Sequence, residues 1–475
     1  MLYEVVQTHL EPFLARRADE EAWLPRFVEK ELRAYLACGI LAHGFARVRC
    51  GGCGDERLVA LSCKGRGVCP SCTTRRMHDT AAHLVDRVVP HVPIRQWTLS
   101  FPPRLRFALA RDSKLLGKAL GIFVRAVAAW QRRAARPLTK AKPHAGAVTF
   151  VQRFGSALQL TPHFHTLVPD GVFVAPAISG DRAAFVRLSP PTDAAVATLV
   201  AAVAQRVERL LGAHGSTGEV PEADAPTEPH ARTLAAALPV PPGVRGPAPI
   251  RCPVPPPRTA NVRGFSLHAD REVHENDRLA LEHLSRYGLR PPLALDRLDR
   301  LPDGRVRYRM KRTFSDGTRE VVLAPEAFLA RLAALVPPPR VHLVRYHGVF
   351  APASPLRPAV TRAPEPPHSP PVPVKTEPIT QEPPPPVTEP SPSSPPDAPT
   401  RQRRLPWADL LHRVHAIDVL ACPCGSRARV LAFITVPEVC ALILRHLGLP
   451  DRPPHITPAR APPQSDLPDD LHAFA

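Results

Sequence analysis

Thr161-Pro162-His163-Phe164-His165-Thr166 is the stretch on which the fold turns. Side chains of a strand alternate between its two faces, so an extended segment here sends both imidazoles to one side and Phe164 into a core on the other. Two histidines on one rigid strand face can hold a divalent ion, and a held ion can clamp a phosphate against a nucleophile. An H-x-H pair alone reads equally well as a solvated strand face, so its weight comes from what surrounds it.

The neighbouring segments share the alternation. Gln96 to Phe101, Ala147 to Gln152, Ala157 to Val168, Val172 to Val174, Val306 to Lys311 and Val341 to Tyr346 read as strands, with Asp170-Gly171 and Asp303-Gly304 as turn signals. Between them, Leu116, Leu120, Phe123, Val127 and Trp130 recur at helical spacing, and Ala194 to Leu211 gives a second helix. Tyr3 to Cys38 reads as two short amphipathic helices. The fold class that follows is α+β, an antiparallel sheet with flanking helices. Of the five tyrosines, Tyr287 stands apart. A helix capped by Asn276 or Asp277 runs through Leu279, Leu281 and Leu284 and ends at Gly288 and Pro291-Pro292, which puts Tyr287 on its last turn between Arg286 and Arg290. Taken alone, that residue is equally a half-buried packing tyrosine.

Upstream, Cys50-Gly51-Gly52-Cys53 and Cys69-Pro70-Ser71-Cys72 are two C-x-x-C knuckles separated by 15 residues, the spacing of a four-cysteine zinc site. Cys63 is a further candidate ligand, and Cys38 and His43 are spare donors for a second site. Lys64, Arg66, Arg75 and Arg76 surround the knuckles and mark them as a DNA-contacting zinc module. Cys422-Pro423-Cys424 near the C-terminus is a shortened knuckle with no second pair after it.

Composition bounds the rest. The chain has 475 residues and a net charge of +19, which calls for a polyanionic partner. Proline, at 62 residues, is about 13% of the chain against a usual ~5%. Nineteen of the prolines fall in residues 351–400, which read as an extended polyproline tether carrying a net −2, so the other 425 residues hold +21. The Pro/Gly-rich stretch 238–257 reads as a surface insertion. The expected domains are therefore a helical and zinc-binding module over 1–90, a catalytic domain over 91–350, the linker 351–400, a small unit over 401–450 and a disordered tail over 451–475. Met1 to Val6 turns acidic at once, unlike a signal peptide, and the longest largely apolar stretch, Ala194 to Ala204, falls short of the ~20 residues a membrane helix needs. The expected location is the cytoplasm, with no membrane partner.

In order along the chain, Ser62 to Cys72 with its knuckle, the His-Phe-His strand followed by Asp170-Gly171-Val172, and Arg286-Tyr287-Gly288-Leu289-Arg290-Pro291-Pro292 resemble the rolling-circle insertion-sequence transposases of the IS-ninety-one type. Val344-Arg345-Tyr346-His347-Gly348 and Trp407-Ala408-Asp409-Leu410-Leu411 also look like that family. The family belongs to the His-hydrophobe-His nucleases. The resemblance implies that His163 and His165 bind Mg²⁺ or Mn²⁺, and that Tyr287 attacks single-stranded DNA to leave a 5′-phosphotyrosine and a free 3′-hydroxyl. It also implies that zinc is structural, that Arg286 and Arg290 contact phosphate, and that element ends and target are held as single strands. His283 stands where some relatives have a first tyrosine, so the chain resembles the single-tyrosine branch. Gln159, by strand parity, and Asp170 are the candidates for a third metal ligand.

Overall fold

Alternation along the chain becomes an antiparallel sheet in the computed structural model, which describes residues 1–178, 180–214, 229–235, 237, 256–311, 313, 317–361, 413, 418 and 420–459. Two helices open the chain, α1 (Leu2–Asp19) and α2 (Arg26–Leu36), followed by strands β1 (Phe45–Cys50) and β2 (Glu56–Ala60) and helix α3 (Pro70–Arg87). Strand β3 (Ile94–Ser100) leads to α4 (Pro103–Arg111) and α5 (Ser113–Ala135). Then come β4 (Pro143–His144), β5 (Gly146–Phe154), β6 (Leu160–Pro169), β7 (Gly171–Val174), β8 (Ala184–Arg187), α6 (Asp193–Ala213) and α7 (Pro229–Ala235). Strands β9 (Thr259–Val262), β10 (Phe265–His268) and β11 (Glu272–Val273) precede α8 (Arg278–Leu289). The body closes with β12 (Leu298–Arg300), β13 (Val306–Arg309), β14 (Glu320–Leu323), α9 (Pro325–Leu335), β15 (Val344–Gly348) and α10 (Arg357–Thr361), and the C-terminal part adds β16 (Ala428–Ile434) and α11 (Pro437–His446).

The central sheet has seven strands in the order β15-β5-β6-β3-β10-β9, with β11 also on β3, and its pairings are antiparallel. Parity sorts its two faces. Trp97, Leu99, Phe164 and Val168 point to one side and bury against α4, α5 and α6. Ile94, Val148, Phe150 and Leu167 point to the other and bury against α3 and α8. The helices have local causes: Asp112 accepts from the backbone N–H groups of Lys114 and Leu115 to cap α5, Thr192 caps α6 through Ala195, and Asp277 caps α8 through Ala280. A third core joins α1, α2 and α9 to the sheet β12-β13-β14, and also takes in Val68, Cys69 and Cys72.

Several sequence expectations shift here. Phe45–Cys50 and Glu56–Ala60, which the sequence reading did not draw as strands, pair antiparallel as β1 and β2. Asp303-Gly304 turns a hairpin between β12 and β13, with Gly304 at φ 85°, where a Cβ is disfavoured. Asp170-Gly171 instead turns a corner from the central sheet into a separate sheet, β4-β7-β8. Residues 351–361, drawn as the start of the linker, are turns and α10, with Val360 buried in the core under α3 and α8. The remainder of the linker, most of the insertion 238–257 and residues 460–475 lie outside the described residues. In the C-terminal part, drawn as a small unit over 401–450, β16 is the third strand of the sheet β16-β1-β2. Among the described residues no helix is long and apolar enough to cross a membrane.

Candidate active site and metal centres

His163 and His165 leave β6 on the face covered by α8, their rings 5.0 Å apart centre to centre. Register decides their neighbours. Ser100 and Gln152 flank His163 on the adjacent strands, and Thr98 and Phe150 flank His165. The Nδ1 of His163 lies 2.8 Å from the carbonyl oxygen of Thr161. A carbonyl only accepts, so Nδ1 carries the hydrogen and Nε2 presents a lone pair. The Nδ1 of His165 lies 3.1 Å from the Thr98 hydroxyl and 3.2 Å from the Gln96 amide nitrogen, and its Nε2 is buried with no partner. Desolvation lowers His163 to about 4 and His165 to about 2, with the charge of Arg290 adding to both. Both imidazoles are thus neutral at pH 7, the state in which they coordinate a cation. With the His165 Nδ1–H donating to the Thr98 hydroxyl, the donor set fits a divalent ion through the two Nε2 atoms.

Tyr287 meets this pair from α8. Its ring stands edge-on to His165, 5.4 Å between centroids at 85°, and the Arg290 guanidinium lies 4.2 Å above its face. The phenol side is open, with 42% of the residue exposed. Close approach of α8 depends on Gly288, whose position leaves no room for a Cβ beside Phe150 on β5. Gln152 fastens the same helix end, its Nε2 donating to the carbonyl oxygens of Tyr287 (3.0 Å) and Gly288 (2.8 Å). Its Oε1 is left buried without a partner, directly across from His163.

Asp170 and Gln159 take other roles. Asp170 is locked by Arg95, at 3.0 Å and 2.6 Å, in a buried ion pair. Gln159 lies in the loop before β6 and accepts from the Ala157 backbone N–H. Among the described residues, no further histidine, cysteine or carboxylate converges with His163 and His165 in a group of three or more.

The cysteines assemble differently from the single four-cysteine site that knuckle spacing suggests. Cys69 and Cys72 join Cys38 and Cys63, with Sγ separations of 3.5 to 3.7 Å. Cys50 and Cys53 join Cys422 and Cys424, with Sγ pairs at 3.5 Å. The reason is geometric. The first knuckle sits at the tip of the β1–β2 hairpin and the second at the start of α3, and β16, antiparallel to β1, brings the C-terminal cysteines to the hairpin tip. Every cysteine named here is a free thiol.

Arg66, Arg76 and Arg290 line one cleft of about 110 Å³ beside Gln152 and Pro292, which brings the loop of the first cysteine cluster to the tyrosine helix. Lys64, Arg75 and Arg76 are exposed, and Arg66 donates to the Val341 carbonyl. Arg286 lies 3.9 Å from Glu282, one turn earlier, a carboxylate that also accepts from Arg413 at 2.8 Å. Sequence reading missed Gln96, Thr98 and Gln152, although strand parity already put the first two on the histidine face. It also missed a groove of about 1240 Å³ between α5 and β15, lined by Lys114, Lys118, Arg125, Arg340 and Arg345 with no carboxylate.

Two family models match the chain. One, described as "Putative transposase", covers residues 146–357, from β5 through α8 to α10. The other, a transposase zinc-binding domain, covers residues 5–101. The chain is an IS-ninety-one-like transposase with an N-terminal zinc-binding domain. The first match spans both histidines and Tyr287, and the second spans six of the eight clustered cysteines, leaving Cys422 and Cys424 outside. No curated protein and no solved structure matches the chain.

Proposed function

We propose that this transposase cuts and rejoins single-stranded DNA through Tyr287, with Mg²⁺ or Mn²⁺ held by His163 and His165. The observation that carries the reading is the contact of the Tyr287 ring with His165, on a helix end pinned by Gln152 and Gly288. A nucleophile needs its reacting atom in reach of the electrophile, and the Tyr287 ring packed edge-on against His165 supports that placement.

In the first step the Tyr287 oxygen attacks phosphorus, and its proton passes to solvent. The bond from phosphorus to the 3′ oxygen breaks, and that oxygen leaves and takes up a proton. A 5′-phosphotyrosine and a free 3′-hydroxyl result. Attack by a DNA 3′-hydroxyl on the phosphotyrosine reverses the exchange and releases the phenol, so no external energy source enters. A divalent ion held by these residues would supply positive charge to the phosphate. The protein's own residues would orient it: the Thr161 carbonyl sets the His163 tautomer, the Thr98 hydroxyl can accept from the His165 Nδ1–H, and we assign the unpartnered Oε1 of Gln152 as the oxygen donor beside the two nitrogens. Mg²⁺ keeps several waters and accepts such a sparse protein donor set. Arg290, over the Tyr287 ring, neutralises phosphate, and Arg66 and Arg76 extend its cleft with positive charge. The groove between α5 and β15 offers a further phosphate-binding path.

Incubation with 5′-tailed, labelled single-stranded element ends and Mn²⁺ tests this. The wild-type chain forms a covalent adduct, whereas Tyr287→Phe binds DNA and forms none. An adduct retained in Tyr287→Phe overturns the assignment and directs attention to Tyr346. No adduct with any divalent ion, alongside salt-sensitive binding, identifies a non-catalytic DNA-binding protein. A replication initiator or relaxase would share the chemistry and differ in its DNA ends.

A further inference from the structure

We propose that Cys50, Cys53, Cys422 and Cys424 bind a zinc ion of their own, and that this ion clamps the C-terminal segment into the N-terminal module as its third strand. The inference is independent of the tyrosine chemistry and stands if that chemistry fails.

The sulfur geometry is the first support. A zinc–thiolate bond of ~2.3 Å in a tetrahedron puts neighbouring sulfurs about 3.8 Å apart, whereas a disulfide puts them ~2.05 Å apart. The observed 3.5 Å pairs, Cys50 with Cys424 and Cys53 with Cys422, belong to the first pattern. All four sulfurs lie within 4.8 Å of one another. The loops are shaped to present thiolates. Gly52 donates its backbone N–H to the Cys50 sulfur at 3.4 Å, and Gly54 and Gly425 take φ values of 76° and 84° that let each loop turn back. The Cys422-to-Ser426 turn closes with the Gly425 N–H on the Cys422 carbonyl at 2.9 Å and the Cys422 N–H on the Ser426 carbonyl at 3.0 Å.

Need for a clamp is the second support. Strands β1 and β16 pair along their length, from Phe45 opposite Ile434 to Cys50 opposite Ala428, yet the apolar cluster beneath them has just Phe45, Cys440 and Leu444 as its buried members among the described residues, with Ala46, Val48 and Ala428 buried outside it. Val430, Leu431 and Phe433 of β16 remain exposed. So small a core does not hold a strand from the far end of a chain by burial alone, and structural metals serve that purpose in small modules. The first cluster has no such need, since Cys69 and Cys72 sit in the large core with α1, α2 and α9.

Native mass spectrometry of the full chain measures zinc directly. Two ions are expected in the wild type and one in Cys422→Ser/Cys424→Ser, with hydrogen exchange at Ala428–Ile434 faster by at least tenfold in that variant and unchanged at Ile94–Ser100. A wild type that binds a single ion, a variant that keeps two, or β16 exchange unaltered in a one-zinc variant each overturns the proposal. Should the variant fail to fold, X-ray absorption at the zinc edge of the wild type decides: two ions per chain, each with four sulfurs, support the clamp, and any smaller number refutes it.

Discussion

Gly288→Ala adds one methyl group where α8 touches β5. The new Cβ would lie 2.2 Å from Cδ2 of Phe150 and 2.8 Å from its Cγ and Cε2. Ordinary carbon contact is ~3.5 Å, so the helix end or the ring must retreat by about 1.3 Å. Phe150 is itself 1% exposed and cannot swing out. The retreat therefore falls on α8, and it stretches the bonds from Gln152 at 3.0 and 2.8 Å past their useful range. Overpacking of this kind costs about 1–3 kcal/mol, against which alanine's better helix propensity returns at most ~1 kcal/mol. The reacting oxygen moves with the helix, and a displacement near 1 Å can lower a rate by ~10²-fold. Urea unfolding reads the first effect, and single-turnover adduct formation with Mn²⁺ reads the second. Phe150→Leu in the Gly288→Ala background makes room and restores much of the rate. A Gly288→Ala chain with wild-type stability and wild-type adduct rate would refute the claim that this glycine places Tyr287.

Two further predictions concern buried polar groups. Asp170→Ala leaves the Arg95 guanidinium, 1% exposed, without its bidentate partner, and is expected to lower stability in urea by about 3–5 kcal/mol; a loss under 1 kcal/mol would show that Glu272, 2.6 Å from the same guanidinium, suffices alone. Gln152→Leu removes both the fastening of the tyrosine helix and the oxygen assigned to the ion. It should raise the Mn²⁺ concentration needed for half-maximal adduct formation by tenfold or more with DNA binding unchanged, and an unaltered Mn²⁺ requirement would count against that donor.

Much of the central fold is legible in the sequence because its signals are local. Alternation from Gln96 to Phe101 and from Leu160 onward fixes which side chains share a face, and helical spacing from Leu116 to Trp130 predicts a helix with one apolar face. The cap at Asp277 and the stop after Gly288 locate Tyr287 on its last helical turn. None of these signals states which helix lies over which sheet face; that follows from Phe150 and Gly288 meeting across a gap closed only by a missing Cβ. The cysteine pairing was hidden for a different reason. A C-x-x-C knuckle looks the same whichever second pair completes its site, and Cys53 meets Cys422 across 369 residues.

Strand order in the sheet β16-β1-β2 carries a consequence for synthesis. A ribosome adds about 5–20 residues per second, so the 371 residues from Gly54 through Cys424 occupy it for roughly 20–75 s. Throughout that interval the hairpin of β1 and β2 has emerged with one edge unpaired and two of its four thiols alone. A chain that stops between Tyr287 and Ala428 keeps the tyrosine and both histidines but never closes this sheet, so completion of the N-terminal module reports that translation has passed Ile434.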